Sequence, residues 1–348
     1  MKLVKTGTLI AGLAALAAFT ATSSDVAAKT EYKGKTVKIV IPYGPGGTYD
    51  KYGQTFSRNL GRHIPGNPNI IVQHMPGAGG LKAMNWTYKV MPANGYNMIV
   101  PLDNAVVNQL MRPAKVRFDA RKFTWLGSSN QTNIVVVVRA DSGITSWKDL
   151  KNKPVIGSTS GKASTGYIMP MLFNGLFSAK VKMVTGYKGS SKSIFAVEQG
   201  ETQMAAFNWL AWSSKVPHWF EGKTPFANAV LQMGVFRDPD LPKSVPMLSD
   251  LVKSDKNKKA VNFIKVLGLL GRGLAVPPKV PKDAIATLRG AYDKMNADPA
   301  FAKELKKRRL RLIPATGKRI QQIVNDAVAN ATPAVVKHAR KLIYGGSS

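Results

Sequence analysis

The stretch Tyr43 to Asp50, YGPGGTYD, follows directly on the apolar run Thr36 to Pro42, TVKIVIP. The run is typical of a buried strand, and apolar side chains then recur at helical spacing from Tyr49 to Leu60. A strand that ends in a glycine turn and opens a helix presents free backbone N–H groups at the positive end of a helix dipole. The stretch therefore predicts a βα unit whose turn can hold an anion.

Strand and helix patterns alternate along the rest of the chain. The predicted strands are 37–41, 70–73, 98–101, 134–138, 155–157, 181–185, 203–207 and 274–278. The predicted helices are 49–60, 81–89, two that begin near 163 and 190, and then 283–296, 299–309 and 317–342. Such alternation favours parallel sheets covered by helices. We expect an α/β fold of two lobes, one built from 29–130 with 268–348 and the other from 131–267.

The N-terminus is typical of a secretory signal peptide over residues 1–28. Lys2 and Lys5 form a basic region, Leu9 to Phe19 is a short apolar stretch, and Val26-Ala27-Ala28 fits a small-residue cleavage site. The alternative is an uncleaved N-terminal anchor. No later segment reaches the roughly 18 consecutive apolar residues of a membrane span. We therefore expect an exported, periplasmic protein.

The chain is strongly basic and contains no cysteine. Its 348 residues include 50 Lys and Arg against 19 Asp and Glu, a net charge of +31. A field of this sign attracts anions, so one alternative function is a basic envelope protein that binds an anionic polymer or nucleic acid. The densest basic run, Lys303 to Arg311, carries leucines at helical spacing and is typical of a solvated helix face. No nucleic-acid-binding motif accompanies it, so no specific nucleic-acid partner is expected.

Catalytic and nucleotide-binding motifs fail at their defining positions. Gly157 to Ala163 is one residue short of a Walker A loop and lacks its final hydroxyl. Gly77 to Lys82 has a lysine at the third glycine of a dinucleotide fingerprint. Thr159 stands where a nucleophile elbow has serine, and the four histidines fall in no triad or metal spacing. We predict no enzymatic activity, no cofactor and no metal site.

Three glycine loops of one type remain, at Tyr43–Asp50, Gly77–Gly80 and Gly157–Ser164. Each follows a predicted strand and opens a predicted helix, which is where ligands of open α/β sheets bind. Glycines let the backbone approach a ligand, and hydroxyls in the third loop add donors. The alternative is that each loop is only a tight turn with a capped helix. Occurring in both lobes, the loops predict a cleft that closes on a small anion.

The order of several motifs resembles one known family. The stretches IPYGPGGTYD, GNPNIIVQHMPGAGG, FTWLGS, VIGSTSGKAS, VTGYKGS and AVPPKVPKDAIATLRGAYDKMNADPAF resemble the extracytoplasmic solute-binding receptors of tripartite tricarboxylate transporters, the Bug or TctC family. The resemblance spans about Lys35 to Leu342. It implies a type II periplasmic binding protein fold with a ligand cleft between two lobes. It also implies a monomeric receptor that captures a small organic acid and delivers it to a two-component membrane permease.

The resemblance carries most of the candidate ligand-binding residues. From the two loops of the first lobe these are Tyr43, Gly44, Gly46, Gly47, Thr48, Tyr49, Asp50, Gly77, Ala78, Gly79 and Gly80. From the helix start of the second lobe, where members take a carboxylate, they are Ser158, Ser160, Gly161, Ala163, Ser164 and Thr165.

Two positions depart from the family pattern. Lys192 lies in a helix where many members have an acidic residue, so a ligand amine would lose a partner there and a second carboxylate would gain one. Tyr49 is bulkier than the usual loop residue. It either narrows the pocket and stacks on a ligand, or packs on the apolar stripe of its own helix.

Three further candidates follow predicted strands at the cleft edge. Asp103 comes after the third strand, and Asn208 and Trp209 after a strand of the second lobe. Trp209 either forms an aromatic wall of the cleft or is a core residue. Asp50 would repel a carboxylate, so we expect it to cap its helix or accept hydrogen bonds from loop amides, with water between it and any anion.

Overall fold

A computed structural model describes Met1 and residues 30–345, and the predicted signal peptide lies outside this range apart from Met1. The strands are β1 Thr36–Ile41, β2 Asn69–His74, β3 Asn97–Ile99, β4 Thr124–Ser128, β5 Ile134–Arg139, β6 Val155–Thr159, β7 Val181–Thr185, β8 Met204–Asn208, β9 Ala227–Met233, β10 Gly273–Val276 and β11 Ala315–Thr316. The helices are α1 Thr48–Asn59, α2 Leu81–Lys89, α3 Ala105–Met111, α4 Trp147–Asn152, α5 Thr165–Phe177, α6 Ser190–Glu198, α7 Trp209–Ser213, α8 Leu248–Leu251, α9 Asp255–Ile264, α10 Lys282–Ala297, α11 Pro299–Lys307, α12 Gly317–Ala329 and α13 Pro333–Tyr344.

The strands form two sheets. The first has the order β11-β4-β10-β3-β1-β2, and the second has the order β7-β6-β8-β5-β9. The predicted parallel pairing holds for β1 with β2 and β3, and for β6 with β7 and β8. In contrast, β10 and β5 are antiparallel to both of their neighbours. The purely parallel prediction is wrong for these strands, since the chain reaches them by crossing between the sheets and not through a βαβ unit.

Two large apolar clusters follow the two sheets. One holds β1, α1, α10 and α12, and its buried aromatic residues include Phe56, Trp125 and Tyr292. The other holds β5, α5, α9 and α13. A smaller tryptophan-rich cluster lies against the second sheet. Helices pack on both sheets because each helix carries an apolar stripe of the kind seen in the sequence.

The chain passes between the sheets twice, at 129–133 and at 268–272. The two crossing segments are hydrogen-bonded to each other: Ser129 N–H donates to the Arg272 carbonyl at 2.9 Å, and Arg272 N–H donates to the Asn130 carbonyl at 3.2 Å. The predicted lobe boundaries, 130/131 and 267/268, fall within these segments or directly beside them. The division remains a prediction, because α13 packs with α5 in the second cluster and not with the first sheet.

The single helix predicted over 317–342 is wrong. Two helices, α12 and α13, replace it, and the break lies at Thr332-Pro333. Pro333 has no N–H to continue the helix, and the Thr332 hydroxyl accepts a hydrogen bond from Val335 N–H as an N-cap. Among the described residues, no helix has the length and apolar character needed to cross a membrane.

Candidate ligand-binding site

A narrow cavity lies between loops of the two sheets. The first sheet and its crossing segment contribute Tyr43, Gly47, Thr48, Tyr49 and Arg272. The second sheet contributes Ser160, Ser164, Thr165, Gly189, Ser190, Phe207, Asn208 and Ala211. Apart from Arg272, which directly precedes β10, both sets come from the carboxyl ends of strands or the segments that follow them, as expected for an α/β ligand site.

Three helix N-termini meet at this cavity. The first residues of α1, α5 and α6 are Thr48, Thr165 and Ser190, and all three line it. Their N-cap residues make no side-chain capping hydrogen bond. The first N–H groups of each helix therefore remain available, and each helix adds the positive end of its dipole. This arrangement favours an anion.

Arg272 adds a full positive charge and is almost completely buried, with 3% of its surface exposed. Its Nη1 donates to Asp103 Oδ2 at 2.9 Å, and Nη2 donates to Thr48 Oγ1 at 3.3 Å. The guanidinium also stacks on the Tyr49 ring, 3.8 Å from the ring centre. The side chain is thus fixed beside the N-terminus of α1, with its charge facing one wall of the cavity.

The ionisation of this wall follows from burial and neighbouring charges. Burial lowers the pKa of Arg272, but the oxygens of Tyr49 and Asp103 outweigh burial and raise that pKa overall. Burial raises the pKa of Tyr43 and of Tyr49 well above the usual range. At neutral pH the wall therefore carries a guanidinium and two neutral phenols, which is a neutral-to-positive surface for a ligand.

Two polar side chains of the cavity have hydrogen-bonding groups without partners among the described residues. Asn208 is 3% exposed, and its Oδ1 accepts from Leu210 N–H while its Nδ2 has no partner. The Ser160 hydroxyl is likewise unpartnered. A buried amide without a partner costs free energy, which a ligand oxygen can repay by accepting its hydrogen bond.

Asp50 is occupied within its own loop. Its Oδ2 accepts from Gly46 N–H at 2.8 Å, and its Oδ1 lies 2.7 Å from His74 Nε2. The carboxylate therefore bonds a loop amide, as interpreted from the sequence, and it does not line the cavity. Tyr43 ties this loop to the second one, because its hydroxyl donates to the Gly79 carbonyl at 3.0 Å.

The loops of the two lobes touch around the cavity. Gly44 N–H donates to the Lys188 carbonyl at 2.7 Å, and the side-chain amides of Asn104 and Asn108 both donate to the Ala163 carbonyl. A Cβ atom at Gly79 would lie 2.8 Å from the backbone nitrogen of Ser164, which is too close for any other residue. The lobes are therefore closed on each other, with glycine at the tightest approach.

Sequence-predicted residues divide into two groups by position. Those that line the cavity are Tyr43, Gly47, Thr48, Tyr49, Ser160, Ser164, Thr165 and Asn208. Those outside its lining are Gly44, Gly46, Asp50, Gly77, Ala78, Gly79, Gly80, Asp103, Ser158, Gly161, Ala163, Lys192 and Trp209. Gly77 and Ala78 line a neighbouring cavity that shares Tyr43 and Ser160.

Lys192 and Trp209 lie away from the cavity for different reasons. Lys192 is exposed on α6. Trp209 is buried in the third cluster, 5.0 Å from the Phe220 ring, as in the alternative interpretation of a core residue. Sequence reasoning missed Gly189, Ser190, Phe207, Ala211 and Arg272. Gly189 and Ser190 belong to the quoted VTGYKGS motif, whereas nothing local distinguishes Arg272.

The fold and the site together describe a two-lobed protein with a cleft lined by three helix N-termini. Within residues 30–345, no three metal-ligating side chains lie together. The family description "Tripartite tricarboxylate transporter family receptor" matches residues 57–339, and the chain belongs to this family. A curated relative from Pseudomonas sp. strain P51, a UPF0065 protein in the tcbD-tcbE intergenic region, is 22% identical over 84% of both chains.

Solved structures confirm the fold class. The periplasmic binding protein BugD superimposes with a TM-score of 0.69 at 14% identity, over 86% of this chain and 96% of its own. An R. palustris protein with adipate, Rpa4515, superimposes with a TM-score of 0.69 at 18% identity, over 89% of this chain and 98% of its own. MatC from Rhodopseudomonas palustris with bound malate superimposes with a TM-score of 0.67 at 19% identity, over 86% of this chain and 99% of its own. The family and these structures are binding proteins and not enzymes, as the sequence predicts.

Proposed function

We propose that this protein is a periplasmic receptor that captures a small carboxylate in its interlobe cleft and delivers it to the permease of a tripartite tricarboxylate-type transporter. The observation that supports it is the meeting of three helix N-termini and the buried Arg272 at one cavity. Among the described residues the lining contains no acid, and the buried Asp103 beside it is paired with Arg272. Such a cavity favours a carboxylate over a cation or a neutral solute.

The ligand's carboxylate would accept hydrogen bonds from the N-termini of α5 and α6, and from Ser160 and Asn208. The other predicted residues would shape the closed cleft around it, with Gly79 and Gly161 at the lobe contact. Residues 1–28 would export the chain and be cleaved. The monomer would open by bending at 129–133 and 268–272.

The first test is native mass spectrometry of the mature protein from its own cell envelope, followed by gentle release of the ligand. We expect a bound organic acid of a few hundred daltons or less. Calorimetry with that acid then tests the site, using Ser160→Ala and Asn208→Ala against the exposed Lys192→Ala. The first two should weaken binding about tenfold each, since each removes a hydrogen bond to a charged group. Unchanged affinity in both would exclude this cavity.

A second candidate function is supported by the charge of +31, which suits an anionic polymer. Binding through exposed cations falls steeply with salt, whereas capture in a buried cleft is screened much less. Titration with a polyanion and with the released acid at low and high salt separates the two. Retention of polymer alone, with no acid bound, would favour this second function.

A further inference from the structure

A wide groove lies on the surface between α9, α12 and α13. Apolar side chains of these helices, and of Val266 just after α9, form its floor. Phe263 is buried, and the partly buried residues are Val266, Ile323, Ala327 and Val335. Helix α12 belongs to the first apolar cluster, whereas α9 and α13 belong to the second. The groove therefore bridges the two halves of the molecule.

Cations surround this floor. Lys256, Lys259 and Arg319 are exposed at the rim. The acid of the rim, Asp326, accepts a hydrogen bond from the Gln322 amide at 2.7 Å. Burial, together with the charges of Lys256 and Lys341, lowers the pKa of His338, so that this ring is neutral at pH 7. The groove thus combines an apolar floor with a positive rim.

The groove is connected to the ligand site through the interior. A small cavity directly beneath it is lined by Val266, Ile323 and Ala327 of the groove and by Asp103, the partner of Arg272. Helix α3 forms the rest of this path. Its Val106 and Val107 line the same cavity, and Asn104, which precedes it, bonds the Ala163 carbonyl across the lobes.

We propose that this groove is the docking surface for an acidic amphipathic segment of a partner protein. Its apolar floor and positive rim are complementary to a helix that carries leucine-like side chains on one face and carboxylates beside them. A second copy of the chain would bring the same net charge of +31 and be repelled. The groove is built from both halves of the molecule, so the relative positions of its helices depend on closure of the cleft. A partner bound there would therefore contact the closed and open forms differently. The proposal does not depend on the ligand's identity.

The test uses the full mature chain and a synthetic helical peptide with leucine on one face and glutamate on the other. Calorimetry should show binding to the unmodified protein, and the triple variant Lys256→Glu, Lys259→Glu, Arg319→Glu should bind at least about tenfold more weakly. The matched control is Lys182→Glu, Lys223→Glu, Lys243→Glu, which changes the net charge equally at exposed sites away from the groove. The control should retain most of the affinity.

Four results would overturn the proposal. The peptide does not bind, or both triple variants lose affinity equally, which indicates general attraction to a basic protein. A peptide with lysine in place of glutamate binds as well, which indicates an apolar surface without charge selection. The protein dimerises, and the triple variant of Lys256, Lys259 and Arg319 dimerises more strongly, which would assign the groove to a second copy of the chain.

Discussion

Arg272 shows how a single buried charge is kept inside the protein. A guanidinium with 3% exposure has lost its water, and Asp103, Thr48 and Tyr49 replace that water with an ion pair, hydrogen bonds and a stacked ring. Breaking a buried pair by removing one member costs about 3–5 kcal/mol, because the other charge remains unpaired. At the scale of the residue, stability and the proposed ligand capture therefore use the same side chain.

Substitution of Arg272 separates these two roles. Arg272→Met should lower the free energy of unfolding by about 3 kcal/mol, since Asp103 is left buried without its ion-pair partner. The double variant Arg272→Met, Asp103→Asn should recover much of this loss while ligand binding stays weak. Urea unfolding and calorimetry with the released acid measure the two effects. Full affinity in the double variant would show that the guanidinium is not part of the ligand site.

Gly79 offers a second test with a matched control in the same chain. Gly79 and Gly34 both have left-handed backbones, with φ of +67° and +69°, but only Gly79 faces the other lobe. Alanine should cost about 1 kcal/mol of stability at either position. Gly79→Ala should also hold the lobes apart and abolish ligand binding, whereas Gly34→Ala should bind normally. Equal ligand affinities would contradict the assigned closure contact.

At the scale of elements, sequence prediction succeeded where local signals suffice. Helix α2 and strand β7 have the predicted bounds, because an apolar stripe or a short β-branched run decides each. The break at Pro333 was missed because the apolar spacing continues across it. Strands β4 and β9 were not predicted either. The positive φ of Gly127 interrupts β4, and an extra residue between Ala229 and Leu231, opposite β5, interrupts β9. The loops at helix starts were recognisable from glycine and serine, but the position of Arg272 depends on a long-range crossing.

The contact between α11 and α1, in which Arg58 and Asn59 bond Glu304, predicts that the stability of the protein depends on pH. Partial burial raises the pKa of Glu304, but hydrogen bonds from Asn59 and Arg58 outweigh it and keep that pKa below its usual value. A carboxyl group whose pKa is lower in the folded protein stabilises the fold at pH values above its unfolded pKa, which is near 4.5. This stabilisation is lost as the pH falls through the pKa of the folded state.

Glu304→Gln should therefore lower the free energy of unfolding by about 1 kcal/mol at pH 7, a value reduced by solvent screening. The difference from the unmodified protein should shrink below pH 4.5. Chemical denaturation across this pH range measures it. Glu221→Gln is the control, because Glu221 is exposed and its carboxylate has no partner among the described residues. The same loss at all pH values would rule out the ionised carboxylate as the cause.

At the scale of the whole molecule, two crossing segments and the loop contacts lie around the proposed cleft. Arg272 lies on one crossing segment and also lines the cavity, so a ligand in this cavity would contact a segment that we propose to bend. The chain has no cysteine, which makes an engineered disulfide across the cleft unambiguous. A Cβ atom at Gly44 would lie 3.3 Å from Cβ of Lys188, close to the roughly 3.5–4.5 Å of disulfides. It would also lie 2.9 Å from the Lys188 carbonyl oxygen, so this contact must widen slightly to admit the bond.

The variant Gly44→Cys, Lys188→Cys should therefore lock the lobes together when oxidised. Oxidation with ligand bound should slow its release at least about a hundredfold, and oxidation of the empty protein should block uptake, because the bond would hold the cleft shut. Stopped-flow tryptophan fluorescence of the oxidised and reduced forms measures both rates. Equally fast exchange in the two forms would mean that this contact does not gate the cleft.

The walls of the ligand cavity differ in what they can change. The proposed carboxylate end combines the side chains of Ser160 and Asn208 with backbone N–H groups at helix starts, which most side-chain substitutions leave in place. The aromatic residues Tyr43, Tyr49 and Phe207 form other parts of the lining, and each can be exchanged for a smaller or polar side chain. A receptor of this construction can acquire a new substrate by a few substitutions while its grip on the acid group stays intact. Substitutions can thus readily alter which acids the receptor selects, whereas its binding of the carboxylate group is harder to change.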